Sequence, residues 1–472
     1  MAEGRRSQRT NGSGRRRRVR RARIPRSVVI LSALVLAAGL TELVLTARRV
    51  MQTRSENAAR VEAERVAEEE LAAEEAALEE EGEGLKAIRR VSFAAVGDNI
   101  INTAGDYSVD LLALADAWSG EEEDGLYDFS PLYRTLEPTI SSYDIAFINQ
   151  ETTLGGNEEY KYQGYPSYNT PDEVASAVAN AGFDIVNCAT NHTYDMWVDA
   201  IAHSHQTWAL QDILMIGSYR SAEDRQNIRV VDQNGIKVAF LAYCYGQDGY
   251  TQDDLPNDFY AAPFDRTKMR QEILAAQEIA DAVVVYMHWG ENLEHEVSEE
   301  QRDLANYLAG LGVTLVIGSH SHVVQPVEYV PRGIRTTTGV NTAADKGMLC
   351  VYGLGDFVSG YTLPDAVLSG MFTCDFVLDD SGEVRVERPI WHALIEHNDA
   401  SIDTVYQLSQ YTQDLAETNT LLAPLNEEED PEARLWDYEE GDEVELPEKV
   451  DPLAWARQTT IDNVGTAIEV VV

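Results

Sequence analysis

Cysteine is scarce in this chain: four among 472 residues, Cys188, Cys244, Cys350 and Cys374. No two form a CxxC pair and four are too few for a dense disulfide scaffold, so both a cysteine-ligated zinc site and a stapled mini-domain are excluded. Three of them fall inside apolar, strand-like runs and Cys188 ends another, which predicts buried free thiols, with a bridge as the alternative that an extracytoplasmic location would permit. Positive charge is also short, with 37 basic residues against 80 acidic ones and a net charge of −43. Residues 1–26 hold eleven arginines against Glu3 alone, which leaves 26 basic against 79 acidic residues, or −53, in the rest of the chain. A surface this acidic excludes nucleic acid as a partner. It also repels a polyanionic polymer unless divalent cations screen the contact or binding is confined to a local patch. No internal repeat is present.

Long apolar runs are nearly absent too. The one that can cross a hydrocarbon core of ~30 Å as a helix is SVVILSALVLAAGLTELVLTA, residues 27–47. Glu42 interrupts it within two turns of its far end, where the carboxylate can reach the interface. The arginines of residues 1–26 outnumber Arg48, Arg49 and Arg54 behind the run, so the positive-inside rule predicts a single-pass cell-membrane protein with a cytoplasmic basic tail. Everything beyond residue 47 is then extracytoplasmic. A cleaved signal peptide ending near LAAG is the rival reading, although the apolar run continues past that point. No cysteine follows to take a lipid. Residues 48–90 are rich in Glu, Ala and Arg, with Leu71, Leu78 and Leu85 seven apart. That spacing predicts a solvated helical stalk, and its thin seam also fits an oligomeric coiled coil.

What remains has the material for a core, since 44% of the chain is hydrophobic. Short apolar runs at 145–148, 183–188, 213–216, 282–287, 313–317 and 349–352 alternate with helical stretches at 171–181, 196–211, 267–280 and 298–310. A hairpin is predicted around Asn234-Gly235. This pattern predicts an α/β layered fold with an antiparallel component over residues 91–398. From 399 to 472 the sequence turns acidic and Pro-punctuated, which predicts an exposed appendage.

Chemistry in such folds gathers beyond the carboxyl ends of strands. Those ends deliver Asp98, then Asn149 and Glu151, then Asn191, His192 and Asp195, then His288 and Glu291, then His320 and His322, and finally Asp356. Carboxylate, amide and imidazole without thiolate form the ligand set of Mn, Fe, Zn or similar ions in a hydrolytic site. Taken alone, each residue has a plainer role: Gly97-Asp98 as a turn, Asn191 as a helix cap, His320 and His322 as solvated loop. His203 and His205 share the spacing of His320 and His322 but fall in a helical stretch, where residues two apart point about 200° from each other and cannot share an ion.

The ordered motifs VGD, N-x-E, NH-x-x-D, HWG, IGSHSHVVQPVE and GDF, over residues 91–359, resemble the CapA-type proteins of capsule and poly-γ-glutamate biosynthesis, of the metallophosphoesterase-like superfamily. The resemblance implies a four-layer α/β/β/α sandwich holding two divalent ions, with Asp98, Glu151, Asn191, His288, His320 and His322 as metal ligands. Asn149, Glu291 and Asp356 stand in neighbouring motif positions. His192 is then placed to donate a proton to a leaving group, with Asp195 orienting it. The chain departs from the family pattern at Asp356, where Asn is usual, at Glu291-Asn292, where Glu-Tyr is usual, and in NIINTAGD after Asp98, which lacks a Met-Leu pair. The implied partners are the membrane and poly-γ-glutamate or another capsular polymer with its synthase complex. A surface metallohydrolase of phosphoester or γ-glutamyl bonds, and a binding scaffold with a vestigial site, are the alternative functions.

Overall fold

Period-two alternation sorts the first strand, β1 (Arg89–Asn99), between two cores: Phe93 and Ala95 face one of them, Ala94 and Val96 the other. The computed structural model describes residues 89–472 except 106–107, 120–126, 333–346, 400–401, 423–434, 437–442 and 445–450. The basic tail 1–26, the anchor 27–47 and all but the last two residues of the stalk 48–90 lie outside the described residues. Among the described residues no helix is long and apolar enough to cross a membrane.

Three strands extend from β1, each parallel to the last: β2 (Ile145–Gln150), β3 (Ile185–Asn187) and β4 (Leu214–Ile216). Of the connecting helices α1 (Leu111–Ser119), α2 (Glu173–Asn180) and α3 (Trp197–Trp208), the first two cover the outer face of these strands through Leu111, Ala115, Val174 and Val178. The chain then builds a second sheet, starting with the hairpin of β5 (Arg229–Gln233) and β6 (Ile236–Cys244). Its turn residues Asn234 and Gly235 have φ of 51° and 73°, the two-residue turn expected of Asn-Gly. Next come β7 (Ala282–His288), β8 (Leu315–Ser319), β9 (Val327–Val330) and β10 (Met348–Val351), giving the order β5-β6-β7-β8-β10-β9. The helices α4 (Arg266–Gln277) and α5 (Glu299–Leu311) cover its outer face with Met269, Ile273, Leu304 and Leu308. The helical stretches expected at 171–181, 196–211, 267–280 and 298–310 are thus α2 to α5, each slightly shifted or trimmed at its ends.

The chain returns to the first sheet with β11 (Asp356–Val358), parallel to β1, and then the antiparallel strands β12 (Leu368–Leu378), β13 (Val384–Asn398) and β14 (Asp403–Gln407). The sheets face each other across a shared core in which Phe93 meets Phe240 at 6.2 Å and Phe147 meets Tyr286 at 5.4 Å between ring centroids. Helix, sheet, sheet and helix therefore form successive layers. All four cysteines are buried and free, as their apolar surroundings predict.

The edge expected at residue 398 is not an edge. The first sheet is wider than the second, and β12 and β13 carry buried apolar residues, Phe372, Trp391 and Ile395, on its inner face. That surface must be kept from water, and Leu408, Tyr411, Leu421 and Leu422 cluster with it. Leu453 and Ala456 of α6 (Pro452–Val464) join the same core, and β15 (Glu469–Val471) pairs in parallel with β13. The acidic residues that suggested an appendage concentrate in 423–450, mostly outside the described residues.

Candidate metal centre

Strand register brings the functional ends level. Asp98 pairs with Asn149 of β2 and with Asp356 of β11, while His288 of β7 pairs with Ser319 of β8. Two glycines permit the close approach this needs. A Cβ on Gly97 would stand 1.8 Å from the Gly355 carbonyl oxygen, and one on Gly318 would stand 2.1 Å from that of Tyr352. Past Ser319 the backbone enters the left-handed region at both His320 (φ 107°) and His322 (φ 59°). Such conformations cost about 1–3 kcal/mol each in a non-glycine residue and mark functional sites. They set the two imidazoles side by side, 5.9 Å between ring centroids, with His288 4.7 Å from His320.

Three groups of side chains each bring one ligand atom per residue within 4.8 Å of the others: Asp98, His322 and Asp356; Asp98, Glu151 and His288; and Glu151, His320 and His322. Asp98 and Glu151 each belong to two groups, so the groups are contiguous. The chemistry of these atoms fits a cation. Both oxygens of Glu151, Nδ1 of His320 and Oδ2 of Asp356 are buried with no hydrogen-bond partner, an unfavourable state unless something of opposite charge meets them. Burial pushes Asp98 and Asp356 up, Asp356 to about 6, and drives Glu151 well above the usual carboxylate range, with Asp98 adding to that shift. Burial likewise holds His288 and His320 well below the ordinary imidazole value, and the neighbouring imidazoles push the same way. Three crowded carboxyls and neutral imidazoles are a donor set made for a divalent ion.

Supporting bonds fix these groups. Asn149 donates to Asp98 Oδ1 at 2.5 Å and accepts from Asn187 at 2.6 Å, while the His320 amide donates to Asp98 Oδ2 at 3.1 Å. Asn149 therefore orients a ligand. His322 Nδ1 lies 2.9 Å from Asp356 Oδ1, and His288 Nδ1 lies 2.9 Å from the Tyr286 hydroxyl. Asn191 does not cap the following helix, whose N-cap is Met196 with no side-chain cap bond. Its Oδ1 instead lies 2.8 Å from His288 Nε2, and its Nδ2 donates to Asp248 at 2.9 Å. His192 stands between two acids, with Nδ1 2.8 Å from Asp195 and Nε2 3.7 Å from Asp248. Asp195 also accepts from the Tyr168 amide at 2.6 Å. Asn191, His192, Asp248 and His322, together with Tyr165, Asn292 and Tyr361, line an open cleft.

The structure gathers ten of the eleven expected residues here and leaves one out: Glu291 is exposed and belongs to none of the ligand groups, although its neighbour Asn292 lines the cleft. Asp248 and Asn187 were missed by sequence reasoning. Both lie at the end of a strand or just beyond it, β6 and β3, so the rule that found the others could have found them. His203 and His205 stay apart, with His203 meeting Asp172 at 2.8 Å and His205 meeting Ser218 at 3.0 Å.

The chain is 25% identical to the PGA biosynthesis protein CapA of Bacillus subtilis (strain 168) over 231 residues, 48% of this chain and 56% of that one. It is 25% identical to the capsule biosynthesis protein CapA of Bacillus anthracis over 230 residues, 47% and 55% of the two chains. It thus spans about half the length of the curated relatives it matches. The solved structure of the NAD nucleotidase NadN of Haemophilus influenzae aligns with 80% of this chain and 57% of that one at 11% identity and a TM-score of 0.36, a likeness too loose to carry an argument. The family model for the bacterial capsule synthesis protein PGA_cap matches residues 92–361, which is more than half the chain and takes in every strand end described above, and the chain belongs to that family.

Proposed function

We propose that this chain is a membrane-anchored, extracytoplasmic protein of capsule-polymer assembly whose metallophosphatase-like domain holds two divalent ions, Mn, Zn or Fe, and hydrolyses a bond in the polymer or its precursor. The observation that carries this reading is Glu151, buried with both oxygens unpartnered and shared by two of the three ligand groups. The family membership and the names of the Bacillus relatives support the capsule assignment, and the arginine-flanked run at 27–47 supports the location. Asp98, Glu151, His288, His320, His322 and Asp356 would hold the ions, with the Asn191 carbonyl as a neutral ligand beside His288. Bound there, divalent ions supply Lewis acidity and an acidified water.

The chain's own residues handle the proton. Asp195 holds His192 Nδ1, which fixes the ring and leaves Nε2 on the cleft side to protonate a leaving group. Elemental analysis of the full-length, detergent-solubilised protein should find about two divalent ions, and a metal-free protein under metal-replete conditions would favour the scaffold reading instead. His192→Ala should keep the metal yet lose ~10²–10⁴-fold in turnover on whichever model phosphodiester or γ-glutamyl peptide the wild type cleaves. Turnover within a few fold of wild type would remove His192 from the mechanism and leave the metal assignment standing.

A further inference from the structure

One hydrogen bond does not hold an imidazole still. Asp195 Oδ2 meets His192 Nδ1 at 2.8 Å, while Asp248 at 3.7 Å stands too far from Nε2 to bond it, so the ring is free to rock about its one short contact unless something else stops it. The backbone beneath is fixed, since Thr153 donates to the His192 carbonyl at 2.9 Å and Thr190 accepts from the His192 amide at 3.3 Å. The ring is stopped by Tyr168. Its phenol meets the imidazole at 4.7 Å between centroids and 82° between planes, and its amide donates at 2.6 Å to the same Asp195 Oδ2 that meets Nδ1. Tyr168 therefore touches both members of the pair.

Tyr168 is braced in turn. It is buried in a cluster with Ile100, Tyr361, Leu363 and Ala366, and its hydroxyl bonds that of Tyr361 at 3.0 Å. Burial drives the Tyr168 phenol well above its ordinary range, so the hydroxyl keeps its proton. Tyr361 lines the cleft and stands edge-on to His322 at 5.7 Å. The turn before it is fixed by Glu396 of β13, which accepts from the Ser359 and Gly360 amides at 3.1 and 2.9 Å. A continuous line of side chains thus backs the His192 ring. Proton transfer is sensitive to small displacements of the donor, so such backing has a chemical use. We propose that Tyr168 is a positioning residue which, braced by Tyr361, holds the His192 ring where Nε2 can donate to a leaving group. This rests on the reading of His192 as the proton donor. The plainer role, filling a buried cluster, would be met by any apolar side chain of similar size.

The test compares Tyr168→Leu, Tyr168→Phe, Tyr361→Phe and the double Phe variant with His192→Ala in the full-length, solubilised protein. Two aryl phosphodiesters serve as substrates, one releasing a weakly basic nitrophenolate and the other a strongly basic phenolate, and only the second needs a proton. Tyr168→Leu should lose about tenfold in kcat on the phenolate ester and several-fold less on the nitrophenolate ester, with KM and metal content unchanged. Tyr168→Phe keeps the ring and should lose about threefold on the phenolate ester, and the double Phe variant should lose no more than either single one, because the two hydroxyls share one bond. The low-field proton resonance of the His192–Asp195 hydrogen bond, assigned by its absence from His192→Ala, reports the same positioning without turnover. It should persist in Tyr168→Phe and broaden or vanish in Tyr168→Leu. Equal losses of Tyr168→Leu on the two esters, or an unchanged resonance, would overturn the proposal and leave a packing role. If neither ester is cleaved the resonance decides, and if Tyr168→Leu does not fold, additive losses in the Phe variants would overturn the brace. His192→Ala losing alike on both esters would sink the acid reading and this proposal with it. A steeper loss on the phenolate ester for His192→Ala but not for Tyr168→Leu would sink this proposal alone.

Discussion

Asp248→Ala should weaken divalent-metal binding about tenfold even though Asp248 stands in none of the three groups of ligand atoms. Its Oδ2 accepts from Asn191 Nδ2 at 2.9 Å, and this bond turns the amide so that Oδ1 points at His288 Nε2, 2.8 Å away. Without the carboxylate nothing on that side opposes rotation about the last side-chain bond, and a rotated amide would present N–H donors to the ligand cluster. A hydrogen bond to a charged acceptor contributes about 1.5–3 kcal/mol when buried. Asp248 is half exposed, so water replaces part of that and the lower end applies, about 1.4 kcal/mol or tenfold. Partners of metal ligands typically change affinity by 10–100-fold, which agrees. The assay is competition between the metal-stripped protein and a chromogenic chelator. Asp248→Asn keeps an acceptor for the Asn191 amide and should lose no more than about threefold. Tyr245→Phe, which removes only the hydroxyl bond to Asp248, should lose less still. Affinity of Asp248→Ala within twofold of wild type would refute the argument that this carboxylate sets the amide.

His203→Ala and His205→Ala should leave metal content at the wild-type level by elemental analysis, because their partners are Asp172 and Ser218 rather than any ligand. A buried carboxyl pair, Glu396 and Asp403, forms a pH-dependent element beside the turn that follows Asp356 and β11. Glu396 accepts from the amides of Ser359 and Gly360, and burial raises both its carboxyl and that of Asp403, the latter to about 6, with Asp403 adding to the shift on Glu396. Both folded-state values lie above the unfolded ones, so the native state binds more protons and stability falls as pH rises from about 4 through 6 and beyond. Asp403→Asn should flatten that part of the profile in denaturant titrations at pH 4, 5, 6 and 7, and a slope equal to wild type would refute it. Protease added to intact protoplasts should remove the folded domain. Sparing it until lysis would overturn the extracytoplasmic placement.

Much of this molecule was legible locally. The apolar run at 282–287, the Asn-Gly turn and the helical stretches need only near neighbours along the chain, and each appears close to where the pattern puts it. The residues beyond the strand ends were legible for the same reason, since a strand's direction determines where its carboxyl end opens. His320 and His322 could be told from His203 and His205 because a helix separates residues two apart by about 200°, whereas a turn after a strand need not. The buried state of the four cysteines followed from the apolar runs around them.

Long-range pairing decided the rest. Asp356 joins Asp98 only because β11 returns to pair with β1, and no local pattern encodes which two distant strands become neighbours. Asp248 matters because its loop brings its carboxylate to Asn191, and Glu291 does not because its side chain is left exposed while Asn292 beside it lines the cleft. Residues 403–422 and 452–471 read as weakly apolar and acidic on their own, yet they have a surface to cover once β12 and β13 extend beyond the smaller sheet. A sequence determines its own periodicity and the chemistry at its strand ends. The apolar area a neighbouring element leaves uncovered, and the charges that converge from separate loops, exist only after the sheets have assembled.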